Sequence, residues 1–232
     1  MKILVFDTET TGLPSKGASI MEHSKWPYII QISYILYDIS TNNILLMKDE
    51  YIKIDKSIEI SEESFEKHKI SREILDEKGI NIIPAVREFN NTVKICDLVV
   101  GHNISFDKRM VFVESFRHKI DQYFTVYNDF GKIYKPEYCT MKNTTEYCNI
   151  VCLSKTNKTF IKTPKLTELY QILFPEAIIP QDLHNSLVDI LITFRCYMKI
   201  KHNTDIVDIN EYVKDLLIKY KCITAQSTPM LL

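Results

Sequence analysis

Glycine is scarce, five in 232 residues, and the chain holds no repeat or low-complexity stretch. No flexible linker therefore divides it, and it reads as one large domain or one domain with a short appendage. No run is long and apolar enough to span a bilayer. Met1-Lys2-Ile3-Leu4-Val5-Phe6 passes straight into Asp7, without the apolar core or small-residue cleavage site of a secretory signal. The expectation is a cytoplasmic, intracellular protein in a reducing compartment, with no membrane partner. Its six cysteines (Cys96, Cys139, Cys148, Cys152, Cys196, Cys222) then read as free thiols. Cys139, Cys148 and Cys152 lack the second closely spaced pair that a zinc site requires. Net charge is −1, so the strong basic excess of many nucleic-acid binders is missing too.

What is present is ample core material, 45% hydrophobic residues against 25% charged. Residues 2–7 read as a short buried strand that ends in an acid. Residues 29–37, rich in Ile and Tyr, and residues 44–54 read as the second and third strands. Between the first two, residues 12–27 are polar and proline-bounded, a loop over one end of the sheet. Residues 61–94 turn helical, with Pro84 near the first turn of the second piece. A brief buried strand at 98–100 closes on Gly101, and helix follows through about 106–120. Beyond a basic, loop-rich middle, residues 166–174 and 187–200 carry helical spacing, and 210–220 form one more helix. Strands first, then strands alternating with helices, predict an α/β domain: a mixed sheet flanked by helices.

Charge is uneven within that plan. Between Lys132 and Lys165, seven lysines face only Glu137 and Glu146, with Tyr134, Tyr138, Tyr147 and Phe160 interleaved. Lysines that meet phosphate and aromatics that stack on bases suit a single-strand groove. A solvated surface loop has the same composition. In the groove reading, Lys155, Lys158 and Lys162 are the charges that would meet the strand.

Three acidic stretches carry the chemistry. Asp7 and Glu9, two apart at a strand end, point to the same side of an extended backbone. Two carboxylates held together repel, and a hard divalent cation such as Mg²⁺ or Mn²⁺ keeps both ionised. Asp107 ends Gly101-His102-Asn103-Ile104-Ser105-Phe106-Asp107, just after a buried strand, where ligand sites gather in α/β sheets. The third stretch is Leu183-His184-Asn185-Ser186-Leu187-Val188-Asp189. On one continuous helix His184 and Asp189 would lie about 140° apart. They face one site only if His184 stands just before the helix, with Asn185 or Ser186 near its N-cap.

Taken in this order, the stretches resemble the DEDDh (DnaQ-like) 3′–5′ exonucleases, whose members include the epsilon proofreading subunits of bacterial replicative polymerases. Phe6-Asp7-Thr8-Glu9-Thr10-Thr11-Gly12-Leu13 is similar to the family's first motif, Gly101–Asp107 to its second, and His184-x-x-x-x-Asp189 to its third. Asn185, four before the last Asp, stands where the sister branch has Tyr, which indicates the histidine branch. Ile30-Gln31-Ile32-Ser33, Tyr138-Cys139-Thr140-Met141 and Lys165-Leu166-x-x-Leu169 fall on family landmarks. Two departures stand out: Lys69 replaces the Gly of a His-Gly-Ile-Thr turn, and Asn185-Ser186 stand where a small residue such as Ala is usual.

The resemblance covers about residues 1–200. It implies an RNase H-like mixed sheet of five strands with helices on its faces, in an exonuclease domain over 1–205. A C-terminal helix and tail over 206–232 follow. It also implies two divalent metal ions, Mg²⁺ or Mn²⁺, with Asp7, Glu9 and Asp189 holding one and Asp7 with Asp107 the other. His184 then takes a proton from the attacking water, and a 5′-mononucleotide leaves. Thr8, Thr10, Thr11, Leu13, Asn103 and Phe106 are the implied contacts to the terminal nucleotide. The implied partners are the 3′ end of single-stranded DNA or RNA and, as in the epsilon subunits, a DNA polymerase. Three readings stay open: DNA proofreading or trimming, RNA 3′-end processing, and an inactive nucleic-acid or polymerase-binding module. Residues 226–232 lack the spacing and aromatic of a sliding-clamp peptide and read as a fraying terminus.

Overall fold

The first strand shows how the sheet is clad on both faces. Ile3 and Val5 bury in one hydrophobic cluster, Leu4 and Phe6 in another, as the two-residue period of a strand requires. The computed structural model describes residues 1–180 and 184–224. In chain order it contains β1 (Lys2–Thr10), β2 (Ile29–Asp38), β3 (Asn43–Tyr51), α1 (Glu62–His68), α2 (Arg72–Lys78), α3 (Ile82–Ile95), β4 (Leu98–Gly101) and α4 (Ile104–His118). There follow β5 (Thr125–Asn128), β6 (Gly131–Tyr134), β7 (Glu137–Cys139), α5 (Thr140–Asn143), α6 (Thr145–Cys148), β8 (Ile150–Leu153), β9 (Thr159–Lys162), α7 (Leu166–Leu173), α8 (Ser186–His202) and α9 (Glu211–Lys219).

Five strands form one mixed sheet in the order β3-β2-β1-β4-β7. The first three are antiparallel neighbours, and β4 and β7 run parallel to β1. Helices α7, α8 and α9 close the Ile3/Val5 face, while α3 and α4 close the Leu4/Phe6 face. This is the mixed five-stranded α/β architecture expected from the sequence. A smaller cluster, Ile30, Ile54, Ile70 and Leu75, seats α2 and the end of α1 beside β2.

The structure corrects several boundaries. The first strand runs past Asp7 to Thr10, so both acids of the first motif sit inside a paired strand. The third stops at Tyr51, leaving Ile52 a single bridge to Ile80. Residues 61–94 are three helices, each started by a side chain that accepts a main-chain N–H: Ser61, Ser71 and Asn81. Pro84 falls in the first turn of α3, as expected. The basic middle is not a loop: it holds two hairpins, β5–β6 and β8–β9, two short helices and the fifth sheet strand, β7. Strands of three or four residues are too short to show a period, and β6 is exposed along its whole length, so no alternation marks it.

Ile206, Val213, Leu217 and Cys222 all bury in the cluster beneath α8, which joins the segment after residue 205 to the same core. None of the six cysteines is in a disulfide among the described residues. Among the described residues no helix is long and apolar enough to cross a membrane. The terminus expected to fray, residues 226–232, lies outside the described residues.

Candidate active site

Period two sends Asp7 and Glu9 to the Ile3/Val5 side of β1, where α8 packs. There they meet Asp189 from the first turn of α8, and one carboxylate oxygen from each of the three lies within 4.8 Å of the others. Thr8 faces the opposite side and reaches Asp107 in the first turn of α4. Its N–H (3.1 Å) and its hydroxyl (2.8 Å) both donate to Asp107 Oδ1. Four acids from one strand and two helix N-termini thus converge.

The start of α8 fulfils the condition that the sequence set. His184 precedes the helix in the left-handed region, φ 69°, and Asn185 is the N-cap, accepting the Leu187 N–H at 3.1 Å. A turn before the helix lets His184 and Asp189 face one cleft that a continuous helix would have denied them. Asn185 and Ser186, the departure from a small residue, are both used. The fully buried Ser186 donates its N–H to Gln31 (3.2 Å) and shares a 2.6 Å hydroxyl contact with Ser33. Gln31 and Ser33 each donate at 2.8 Å to Asp49 on β3, so a polar network ties α8 to the sheet.

The acids and His184 line an open cleft of about 630 Å³. Further walls come from Lys67 at the end of α1, from His102, Asn103 and Phe106 at the β4–α4 turn, from Met141, and from the Thr163–Thr167 stretch ahead of and into α7. His102 is wedged between the Thr140 hydroxyl (3.0 Å) and the Pro164 carbonyl (3.2 Å). A carbonyl only accepts, so Nε2 carries the proton and Nδ1 accepts from Thr140. Burial pushes the His102 pKa down to about 4, which keeps the ring in that neutral form.

Burial dominates the electrostatics of the acids. It raises Asp7 well above the carboxylate range, helped by the charges of Asp107, Asp189 and Glu9. It lifts Glu9 to about 9, with Asp189 and Asp107 adding and Lys67 opposing. Asp107 and Asp189 rise to about 7 for the same first reason; hydrogen bonds from Thr8 and from the His184 N–H hold them back. His184 is shifted down, by burial first and then by Lys67 and Lys165.

This arrangement fits divalent cations. Asp189 Oδ1 is buried without a hydrogen-bond partner among the described residues, and a buried acceptor left so is costly unless something positive meets it. Buried carboxylates that suppress one another's ionisation become stable anions when a cation stands among them. The donors are all oxygens, as Mg²⁺ and Mn²⁺ prefer.

Over residues 4–197 the sequence matches RNase T, the family described as exonuclease. The chain belongs to the RNase T exonuclease family. Among solved structures it is similar to E. coli Exonuclease I in complex with a dT13 oligonucleotide, with a TM-score of 0.63 at 15% identity, over 91% of this chain and 43% of that one. It is also similar to an Exonuclease I from Methylocaldum szegediense, with a TM-score of 0.61 at 14% identity, over 94% and 45%. At such identity the likeness is one of fold, and this chain spans less than half the length of those exonucleases. No curated protein matches it in sequence.

Of the residues named as nucleotide contacts, Thr8, Asn103 and Phe106 line the cleft, and Thr10, Thr11 and Leu13 do not. Thr10 and Thr11 are buried: the Thr10 hydroxyl donates to the Gly12 carbonyl (2.7 Å) and the Thr11 hydroxyl accepts the Tyr28 N–H (3.0 Å). Leu13 is 70% exposed on the following loop. Lys155, Lys158 and Lys162 also stay out of the cleft, while Lys165 is in it. Lys67 and His102 are in the cleft and were not singled out. His102 sat inside a quoted motif. Lys67 had only its place two residues before Lys69, and nothing local tells such a lysine from other surface charges.

Proposed function

We propose that this chain is a divalent-metal-dependent 3′–5′ exonuclease that shortens single-stranded DNA and releases 5′-mononucleotides. The observation that carries the reading is the convergence of Asp7, Glu9, Asp107 and Asp189 with His184 in one open cleft. Its volume of about 630 Å³ suits a terminal nucleotide. The oligonucleotides held by solved E. coli Exonuclease I, dT13 and dA16, support single-stranded DNA as the substrate.

Asp7, Glu9 and Asp189 would hold one ion, and Asp7 with Asp107 a second. Bound there, such ions polarise the phosphate and offset the charge that develops on the attacking and leaving oxygens. The chain's own contribution is position and proton transfer. His184, exposed at the cleft and kept neutral by its lowered pKa, accepts a proton from the attacking water. The water oxygen attacks phosphorus, and the bond from phosphorus to the 3′ oxygen of the preceding nucleotide breaks. Asn103 and Phe106 at the β4–α4 turn are placed to meet the last nucleotide.

The test uses 5′-labelled single-stranded DNA and RNA of one sequence with Mg²⁺, Mn²⁺ or EDTA, beside Asp7→Ala. A ladder shortening from the 3′ end, lost in EDTA and in the variant, and faster on DNA, is expected. A faster RNA ladder moves the reading to RNA 3′-end processing. Binding with no cleavage under any metal leaves only a binding module. Proofreading beside a DNA polymerase is a finer form of the same reading, and faster removal of a mismatched than of a matched 3′ terminus tests it.

A further inference from the structure

We infer that Lys67 and Lys165 form a two-walled anion subsite that grips backbone phosphates of a strand in the cleft. The inference rests on the exonuclease reading and names the part of the cleft that holds the substrate. Lys67 closes the C-terminal turn of α1, Lys165 precedes α7, and both line the cleft that contains the acids. Both stand near enough to His184 for their charge to act on it. Remote in sequence, they are brought together only by the fold.

Neither cation is committed elsewhere in a way that would keep it from a phosphate. Lys67 pairs with Glu63 one turn back at 2.7 Å, but the two side chains are 50% and 72% exposed. A pair so solvated contributes little and yields readily to a polyanion. Glu168, the acid nearest Lys165 in sequence, is already engaged by Lys162 Nζ (2.5 Å) and by the main-chain N–H of Lys165 (2.7 Å). Among the described residues Lys165 makes no close salt bridge, and its charge reaches Glu168 only as the more distant of that acid's two lysines.

The wall that carries Lys165 is itself anchored, because the Pro164 carbonyl accepts from half-buried His102 at 3.2 Å. Lys165 is therefore held at the cleft and not on a free loop. Ammonium groups flanking a bed of acids fit a ligand whose negative charge repeats. The scissile phosphate meets the acids' cations while neighbouring phosphates meet the lysines. Lysine acts on phosphate as a point charge, so this grip reads the backbone and not the base.

The test is made on the full chain with Lys67→Met, Lys165→Met and Lys67→Arg; Lys78→Met, at the end of α2, controls for the loss of one charge. Oligothymidylate hydrolysis with Mn²⁺ and binding by anisotropy with Ca²⁺ are followed across a salt series, with melting temperature as the check on folding. Each cleft Met variant is expected to raise KM about tenfold at low salt, with a smaller effect on kcat. Each should also flatten the salt slope by about one. Lys67→Arg should keep the slope, and Lys78→Met should behave as wild type. An unchanged KM and slope in both cleft variants, or an equal loss in Lys78→Met, overturns the subsite. A wild type that binds but never cuts overturns the exonuclease reading while the slopes still decide the subsite. A wild type that does neither overturns both.

Discussion

Thr8 and Asp107, 99 residues apart, are joined twice, because the N–H and the hydroxyl of Thr8 both donate to the same oxygen of Asp107. The contact locks the first turn of α4 against β1 and opposes the rise that burial imposes on Asp107, which ends at about 7 with both hydrogen bonds in place. Thr8→Val keeps the shape and the N–H but loses the hydroxyl. Asp107 should then hold its proton to higher pH, and Mn²⁺ affinity at pH 7 should fall several-fold. The gap to wild type should narrow at pH 9. Calorimetric titration at both pH values checks this, and a deficit that is the same at both would count against the proton-linked explanation.

Without a divalent ion, the acid cluster should make the fold less stable as pH rises. Raised folded pKa values mean that the native state binds more protons than the unfolded chain. That contribution is complete below the ordinary carboxylate range and is lost as pH climbs through about 7 for Asp107 and Asp189 and about 9 for Glu9. His68 and His102, both held near 4, act in the opposite sense between about 4 and 6.5, so the clean window lies above that. Melting temperature in EDTA should fall from pH 6.5 to 9. The rise given by Mg²⁺ should be larger at pH 8 than at pH 6.5, since binding to the native state adds stability. A metal-induced rise that ignores pH would contradict the assignment of these acids.

His184→Ala should lower kcat by roughly 10²–10⁴, the usual size of a general-base contribution, while the metal-induced rise in melting temperature remains. Because burial, Lys67 and Lys165 all shift His184 down, the acid limb of the wild-type kcat profile should lie below pH 6.5 at saturating metal. If the variant loses its metal response together with its rate, His184 is holding the acids and not the proton.

Lys69 sits at φ 55° at the end of α1, in the left-handed region where a side chain costs about 1 kcal/mol. In sequence this lysine stands where the family it resembles has a glycine. The turn keeps a conformation suited to glycine, and the lysine bears the strain. Its ion pair with Glu66 joins side chains 60% and 64% exposed and offers little in return. Lys69→Gly should raise the urea midpoint by an amount that corresponds to about 0.5–1 kcal/mol. A midpoint that falls would show that the αL strain is not what governs this turn.

The sheet's first three strands, the long helices and the order of the acids were legible in the amino-acid pattern. A central strand buried on both faces must be apolar, and a helix that packs on one side must repeat its apolar positions. It also set the condition on His184, since five residues of helix cannot return to the same face. It did not reveal β7 or the two hairpins, which are too short to carry a period.

Which residues wall the cleft emerges from packing in three dimensions. Thr10, Thr11 and Leu13 belong to the same motif as Asp7, yet beyond Glu9 the strand register shifts and the chain turns away. Lys67, His102 and Lys165 enter from three separate elements, because α1, the β4–α4 turn and the stretch before α7 all border the one cleft that holds the acids. A motif records what lies along the backbone. The pKa values near 7 and 9 come from burial and from charges carried by other elements, and only the packed chain supplies both.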